Sequence, residues 1–227
     1  PKQRKVAYLS RLMAYAATGK KLDLTKLVSK EGNLNCKLPK GEWQLIALFV
    51  GKTLQEVKRS APGGQGYVMD HFSAKAVKNY LTKFDSAFAR DNTPCPNTFF
   101  NDSYEVYNAD WTPTFLEEFQ QRRGYKLEDF FPELLGKGKT DISCRVVSDY
   151  RETLGEMLLT DFTAQWTSWA HSHGATTRNQ AHGSPANIID LYAAVDIPEC
   201  EIFGITDFDI PGLRKDEMRK INDGDPV

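Results

Sequence analysis

Two periodicities divide the chain. Residues 1–60 carry short apolar runs of strand type: Val6–Leu12 predicts one strand, and Glu42–Val50 predicts another whose second half is apolar on both faces, after the turn signal Pro39-Lys40-Gly41. This stretch reads as a small, sandwich-like β-rich segment. Pro62-Gly63-Gly64-Gln65-Gly66 then marks a boundary, and residues 61–227 alternate strands with helices. Tyr67-Val68-Met69-Asp70 predicts a short strand ending in an acid. Ser73 caps a helix whose apolar positions Val77, Tyr80, Leu81, Phe84 and Phe88 keep helical spacing. Thr98-Phe99-Phe100 predicts a buried strand, and helices follow over about 113–122, with Pro113 at the first position, and 127–135.

The longest helix is expected over about 144–173, its apolar stripe interrupted by Asp161 and Gln165. Ala175–Gln180 then predicts a strand, Asn187–Val195 a helix, and Cys200–Gly204 a fourth strand. Four strand-helix units in series imply a parallel sheet, or half of the eight units that a closed barrel needs. The expected fold class is therefore α/β: part of a (β/α)8 barrel over residues 61–227, preceded by the β-rich segment 1–60.

Composition narrows the function. The chain of 227 residues is 41% hydrophobic, as in ordinary globular proteins, and its formal charge of −1 leaves no basic field for nucleic acid. No run of apolar residues is long enough to span a membrane. The four cysteines show no C-x-x-C spacing, which speaks against a zinc knuckle or dithiol motif. His171 and His173 stand before Gly174, where cationic side chains suit a helix C-terminus better than a metal.

What chemistry there is lies at the expected strand ends. Asp70, Asp102 with Glu105, Asn179 with His182, and Glu199 with Glu201 all sit in or beside consecutive strand termini, the rim on which (β/α)8 barrels mount catalytic groups. A carboxyl group partly desolvated on such a loop can donate a proton near neutral pH. Paired carboxylates on one rim suit glycosidic cleavage, one protonating the leaving oxygen and the other activating water or attacking carbon. Tyr67, Tyr104, Trp111 and Phe203 offer aromatic faces for sugar rings, so Trp111 joins Asp70, Asp102, Asn179, His182 and Glu201 as expected substrate-binding residues. The same rim could bind sugar without cutting it, as in a carbohydrate-binding module or a non-catalytic homologue.

Pro62–Asp70, Asn101-Asp102-Ser103-Tyr104-Glu105 with Trp111-Thr112-Pro113, Phe119–Tyr125, and Asp196–Gly204 resemble, in order, the blocks of glycoside hydrolase family 106, the α-L-rhamnosidases and their relatives. The resemblance implies a (β/α)8 catalytic barrel with β-sandwich accessory domains, hydrolysis with inversion of α-L-rhamnosides in plant-type polysaccharides, and a calcium ion near the sugar. It assigns Glu105 as general acid, and Glu199 and Glu201 as acids able to hold calcium. It further implies that the general base lies on a later strand, so the chain is expected to be an interior piece of a larger secreted or periplasmic enzyme, poorly active alone.

Overall fold

The computed structural model describes residues 6–91, 93–136 and 139–200. Strand β1 (Ala7–Ala16) runs longer than the Val6–Leu12 pattern, because Met13, Ala14 and Tyr15 are all buried and so break strict alternation. It lies between β2 (Lys21–Asp23) and β3 (Trp43–Gly51), antiparallel to both, with a bulge between Leu9 and Arg11 that resets its facing relative to β3. Met13 and Tyr15 reach the core of the helical part, and the Tyr15 hydroxyl donates to the Glu128 carbonyl. The sheet is thereby anchored to the rest of the chain.

Helix α1 (Ala74–Asp91) opens where Ser73 Oγ accepts from the Ala76 amide at 3.3 Å. Strand β4 (Thr98–Asn101) follows, then a long irregular loop, then α2 (Phe115–Arg123), which starts later than Pro113 because residues 112–115 form a turn, Phe115 N donating to Thr112 O at 3.0 Å. Gly124, at φ +79°, ends α2 in the left-handed conformation that glycine adopts without strain. The expected helix over 127–135 divides into a 3₁₀ turn (Leu127–Phe130) and α3 (Phe131–Leu135), whose early Pro132 has no amide to contribute to a continuous ladder.

The long helix begins at Asp141 rather than Cys144, since Thr140 Oγ1 accepts from Ser143 N at 3.1 Å as its cap. It forms α4 (Asp141–Met157), a π-helical stretch (Leu158–Ala164) and α5 (Gln165–Ser172). The π stretch explains the interrupted stripe. Its wider turn lets Leu158, Phe162 and Trp166, four residues apart, all enter the core. Asp161 is left on the outside, 3.9 Å from Arg122, and Gln165 Nε2 reaches the Ala74 carbonyl at 3.2 Å. His171 and His173, at the helix end, diverge to separate carboxylates: His171 lies 3.0 Å from Asp196 and His173 2.8 Å from Asp85.

Strand β5 (Thr176–Asn179), helix α6 (Ile188–Ala193) capped by Asn187, and strand β6 (Ile197–Pro198) complete the described chain. The strands β4, β5 and β6 are parallel and adjacent in chain order. One expectation changes here. Residues 67–70 are no strand of this sheet: Tyr67 makes a single antiparallel bridge to Glu56, and Val68 N donates to Gln55 O at 2.8 Å, because the preceding loop folds back on 55–57. The described chain adds a short strand at Ile197–Pro198, and residues 201–204 of the expected strand Cys200–Gly204 lie outside the described residues. Three parallel strands are therefore described, and a closed eight-stranded barrel is not. No described helix is long and apolar enough to cross a membrane.

Phe119 is 0% exposed and sits against Phe115 and Tyr125 in the core that joins α2 to its neighbours. Phe119→Ala should lower unfolding stability by about 3–5 kcal/mol, the usual cost of removing a buried aromatic ring. Urea unfolding checks this; a loss under about 1 kcal/mol would mean that the site collapses freely or is not the core.

Candidate active site

The parallel sheet has two unlike faces. Phe99 lies 4.7 Å from the Trp169 ring and Thr177 Oγ1 lies 3.4 Å from Thr167 Oγ1, so these side chains face the helices. Thr98 and Thr176 share a 2.8 Å hydroxyl contact on the opposite face, where the Arg178 guanidinium stands 4.3 Å over the ring of Phe100. Phe100 is 46% exposed there. Parallel sheets are ordinarily covered on both faces, and in a barrel the second face is the interior.

At the C-terminal edge Asn101 Nδ2 donates to Asn179 Oδ1 at 2.9 Å, and Asn179 Oδ1 also accepts from Ala181 N at 3.2 Å. Asn179 is 2% exposed. Its carboxamide oxygen thus holds strand ends in place on the helical side. Gln180 and Glu199 meet on the other side: Gln180 Nε2 donates to Glu199 Oε1 at 3.1 Å, and Arg178 Nε stands 2.9 Å from Glu199 Oε2. Alternation along β5 puts Arg178 on the face opposite Thr177, a cation among the acids expected at this rim.

The loop after β4 is held against its neighbours. Tyr104 N donates to His182 O at 2.7 Å, and a Cβ on Gly183 would meet Tyr104 O at 2.8 Å, so the β5–α6 loop passes too close for a side chain there. Ala181, at φ +49°, is a buried non-glycine residue in the left-handed region, local strain at the strand end. Asp70 Oδ2 accepts from the buried Thr112 hydroxyl at 2.8 Å, and Oδ1 from Phe72 N at 3.0 Å. Trp111 leans on Phe115, ring centres 4.5 Å apart, and is half-buried against the core. Asp102, whose Oδ1 accepts from Ser103 N at 2.8 Å, Glu105 and His182 are exposed. Glu201 lies outside the described residues.

The structure therefore gathers Arg178, Gln180 and Glu199 into one cluster and sets Tyr104 beside the His182 backbone. Among the described residues no three His, Cys, Asp or Glu side chains converge as a metal set. Glu199, already shared by a guanidinium and an amide, does not in this arrangement fit a calcium ligand.

Beneath the loop lies His71, to which the sequence assigns no site role. The His71 ring meets Tyr104 and Phe162 edge-on, centres 5.4 and 4.7 Å away, and its Nδ1 is buried with no protein partner. Burial lowers the His71 pKa to about 4, with a backbone contact to Met69 acting in the opposite sense. Burial, then the Asp70 carboxylate, pushes the Tyr104 phenol up. Only the intimacy of residues 69–71 with 104 and 162 makes the histidine special, and no local pattern announces that.

These observations define an α/β protein with strand-helix units and carboxylates at the C-terminal rim of a parallel sheet. Its fold is similar to that of a solved rhamnosidase from Novosphingobium sp. PP1Y, with a TM-score of 0.65 and 24% identity over 77% of this chain and 18% of the other. The family model described as alpha-L-rhamnosidase matches residues 11–215, and the chain belongs to this family, glycoside hydrolase family 106. A Formosa agariphila protein named "Putative beta-glucuronidase" is 30% identical over 202 residues, 84% of this chain and 17% of that protein. The chain thus spans less than a fifth of either relative's length.

A neutral buried imidazole gives a signed pH dependence. Unfolded His71 would titrate near 6.5, so between pH 6.5 and about 4 the unfolded state binds the extra proton, and stability falls as pH falls through that window. The full contribution, present above about pH 6.5, is roughly 3 kcal/mol by linkage. Carboxylates held low, such as Asp196 by the Thr177 amide and then His171, act below that window, losing their contribution as pH drops through their own depressed pKa. His71→Phe should flatten the urea midpoint between pH 6.5 and 4; a slope as steep as in the parent would show that other groups carry it.

Proposed function

We propose that this chain carries the acid half of a glycosidase active site in a longer polypeptide, and that the reaction is inverting hydrolysis of an α-L-rhamnosidic linkage in a plant-type polysaccharide. One observation carries the reading: the exposed Glu105 stands on the loop leaving the C-terminal end of β4, next to the β5–α6 loop, in a sheet whose other face is open. Glu105 donates its proton to the glycosidic oxygen as the bond to the anomeric carbon breaks and its electron pair stays with that oxygen. Water adds to the anomeric carbon from the opposite face and gives its proton to a second carboxylate, here proposed to come from beyond residues 1–227. Inverting pairs stand about 6.5–9.5 Å apart to admit that water.

Asp102, Trp111, His182 and Glu201 remain the proposed sugar-facing set, whereas Asp70 and the buried Asn179, expected in it from the sequence, are proposed to support it. Asp70 and Asn179 act mainly by fixing the loops, whereas Asp102 and His182 have exposed side chains able to meet hydroxyls. Calcium held by Glu199 and Glu201 stays a proposal, and for Glu199 it requires release of Arg178 and Gln180. Export to the periplasm or the medium is proposed with it. The second substrate to assay is a β-glucuronide, because the F. agariphila relative bears that name. Residues 1–227 alone should turn over poorly, since an acid without its base leaves water unactivated.

In the full-length enzyme Glu105→Gln should cut turnover on alkyl or sugar leaving groups by about 10²–10⁴-fold, the usual worth of general acid catalysis, and spare aryl substrates with activated leaving groups. Steady-state kinetics on both substrate types decides it, with NMR of the first-formed anomer reporting inversion. Equal losses on good and poor leaving groups would assign Glu105 to binding or to the base.

A further inference from the structure

Residues 102–114 form no regular structure, so the backbone that carries Glu105 must find partners elsewhere. His182 O takes the Tyr104 amide on one side. Immediately beyond, Gln55 takes over: its Nε2 donates to Glu105 O, and its Oε1 accepts from Tyr107 N at 2.8 Å. A carboxamide offers donor and acceptor side by side, so this one side chain acts as a two-point strand partner across residues 105–107. Gln55 is in turn fixed through its own backbone, its carbonyl accepting from Val68 N at 2.8 Å and its amide donating to Thr53 Oγ1 at 3.3 Å.

Backbone strain brackets the same contact. Leu54, directly before Gln55, sits at φ +54°, and Asn108, directly after the clamped segment, at φ +58°, both left-handed and neither glycine. Leu54 gains nothing from that conformation by itself; it turns the following side chain toward the loop. The contact also walls a cleft of about 730 Å³ that Gln55, Tyr107, Asn108 and Lys52 help to line. Gln55 therefore lies outside the strand-helix units, on the segment that follows β3, and yet holds the loop of the proposed acid.

We propose that Gln55 is a positioning residue for Glu105: the β3 segment sets the direction from which the acid reaches the leaving oxygen. This rests on the reading of Glu105 as general acid. Geometry is the reason the effect should be catalytic and not only structural, since misplacement of a reacting group by about 1 Å can cost about 100-fold in rate.

The test uses the full-length enzyme with Gln55→Leu, which removes both hydrogen bonds, and Gln55→Glu, which keeps only the acceptor for Tyr107 N, beside Glu105→Gln. Expected for Gln55→Leu are faster hydrogen exchange at the Tyr107 amide and a kcat roughly 10- to 100-fold lower on poor leaving groups. KM should hold and activated aryl substrates should be spared. Gln55→Glu should keep the Tyr107 protection and show a smaller kinetic loss. If Tyr107 exchange rises while leaving-group dependence stays that of the parent, the clamp exists but does not position the acid, and the proposal is overturned. Uniform losses on all substrates with a lowered melting temperature would also overturn it, as a merely structural role. If Glu105→Gln itself shows no leaving-group selectivity, the acid reading fails and the positioning role fails with it, whereas unchanged Tyr107 exchange in Gln55→Leu sinks the clamp alone.

Discussion

The side-chain bond from Asn101 to Asn179 is the constraint on which the site depends. Parallel strands have no hairpin to set their relative ends, so their loops leave the sheet at heights fixed only by register and by such cross-strand contacts. With Asn101 opposite Asn179, and Asn179 opposite Pro198, the loops carrying Glu105, His182 and Glu199 depart from one level. A slip by one residue would turn Phe100 and Arg178 into the helical layer and Phe99 and Thr177 out of it. The carboxamide pair resists that slip, because an apolar side chain in place of the buried Asn179 would take the acceptor away from the half-buried Asn101 amide and from the Ala181 amide together.

Local patterns made most of the elements legible. Helix α1 with its Ser73 cap, strands β1, β3, β4 and β5, and the later helices follow from runs, caps and periodicity that need no distant partner. What failed was set by tertiary context. Residues 67–70 have strand composition, but the turn at Pro62–Gly66 returns them to 55–57 before they can reach the parallel sheet. Two-residue β6 is too short for any periodicity to register. The π stretch was visible only as a stripe that two polar residues spoiled; a wider turn, not a change of face, reconciles it with a buried Phe162 and Trp166.

The candidate site was half legible for the same reason. Acids at strand ends can be listed along a sequence, yet which of them are free depends on neighbours that sequence distance hides. Arg122 and Arg123 illustrate the point: adjacent at the end of α2, they gather Glu152, Glu156 and Asp161 from the long helix, and only the Glu118–Arg122 pair, four residues apart on α2, follows from spacing. Arg178 does the same to Glu199 at the rim. A carboxylate already held by a guanidinium and an amide has its charge partly compensated and fewer lone pairs free for a hard cation, so identity alone overstates its availability.

The open face of the parallel sheet lies beneath an anchored loop. Phe100 and Ile197 stay exposed where parallel sheets are usually covered, while the loop rim is already fixed from three sides by His182, Thr112 with Asp70, and Gln55. Rim and sheet thus differ in kind among the described residues: the loop after β4 is tied by hydrogen bonds on several sides, whereas the sheet below it keeps one apolar face exposed. Because two of the three tethers come from segments preceding β4, the segment after β3 and the Asp70 turn are tied structurally to the strand-helix units they precede.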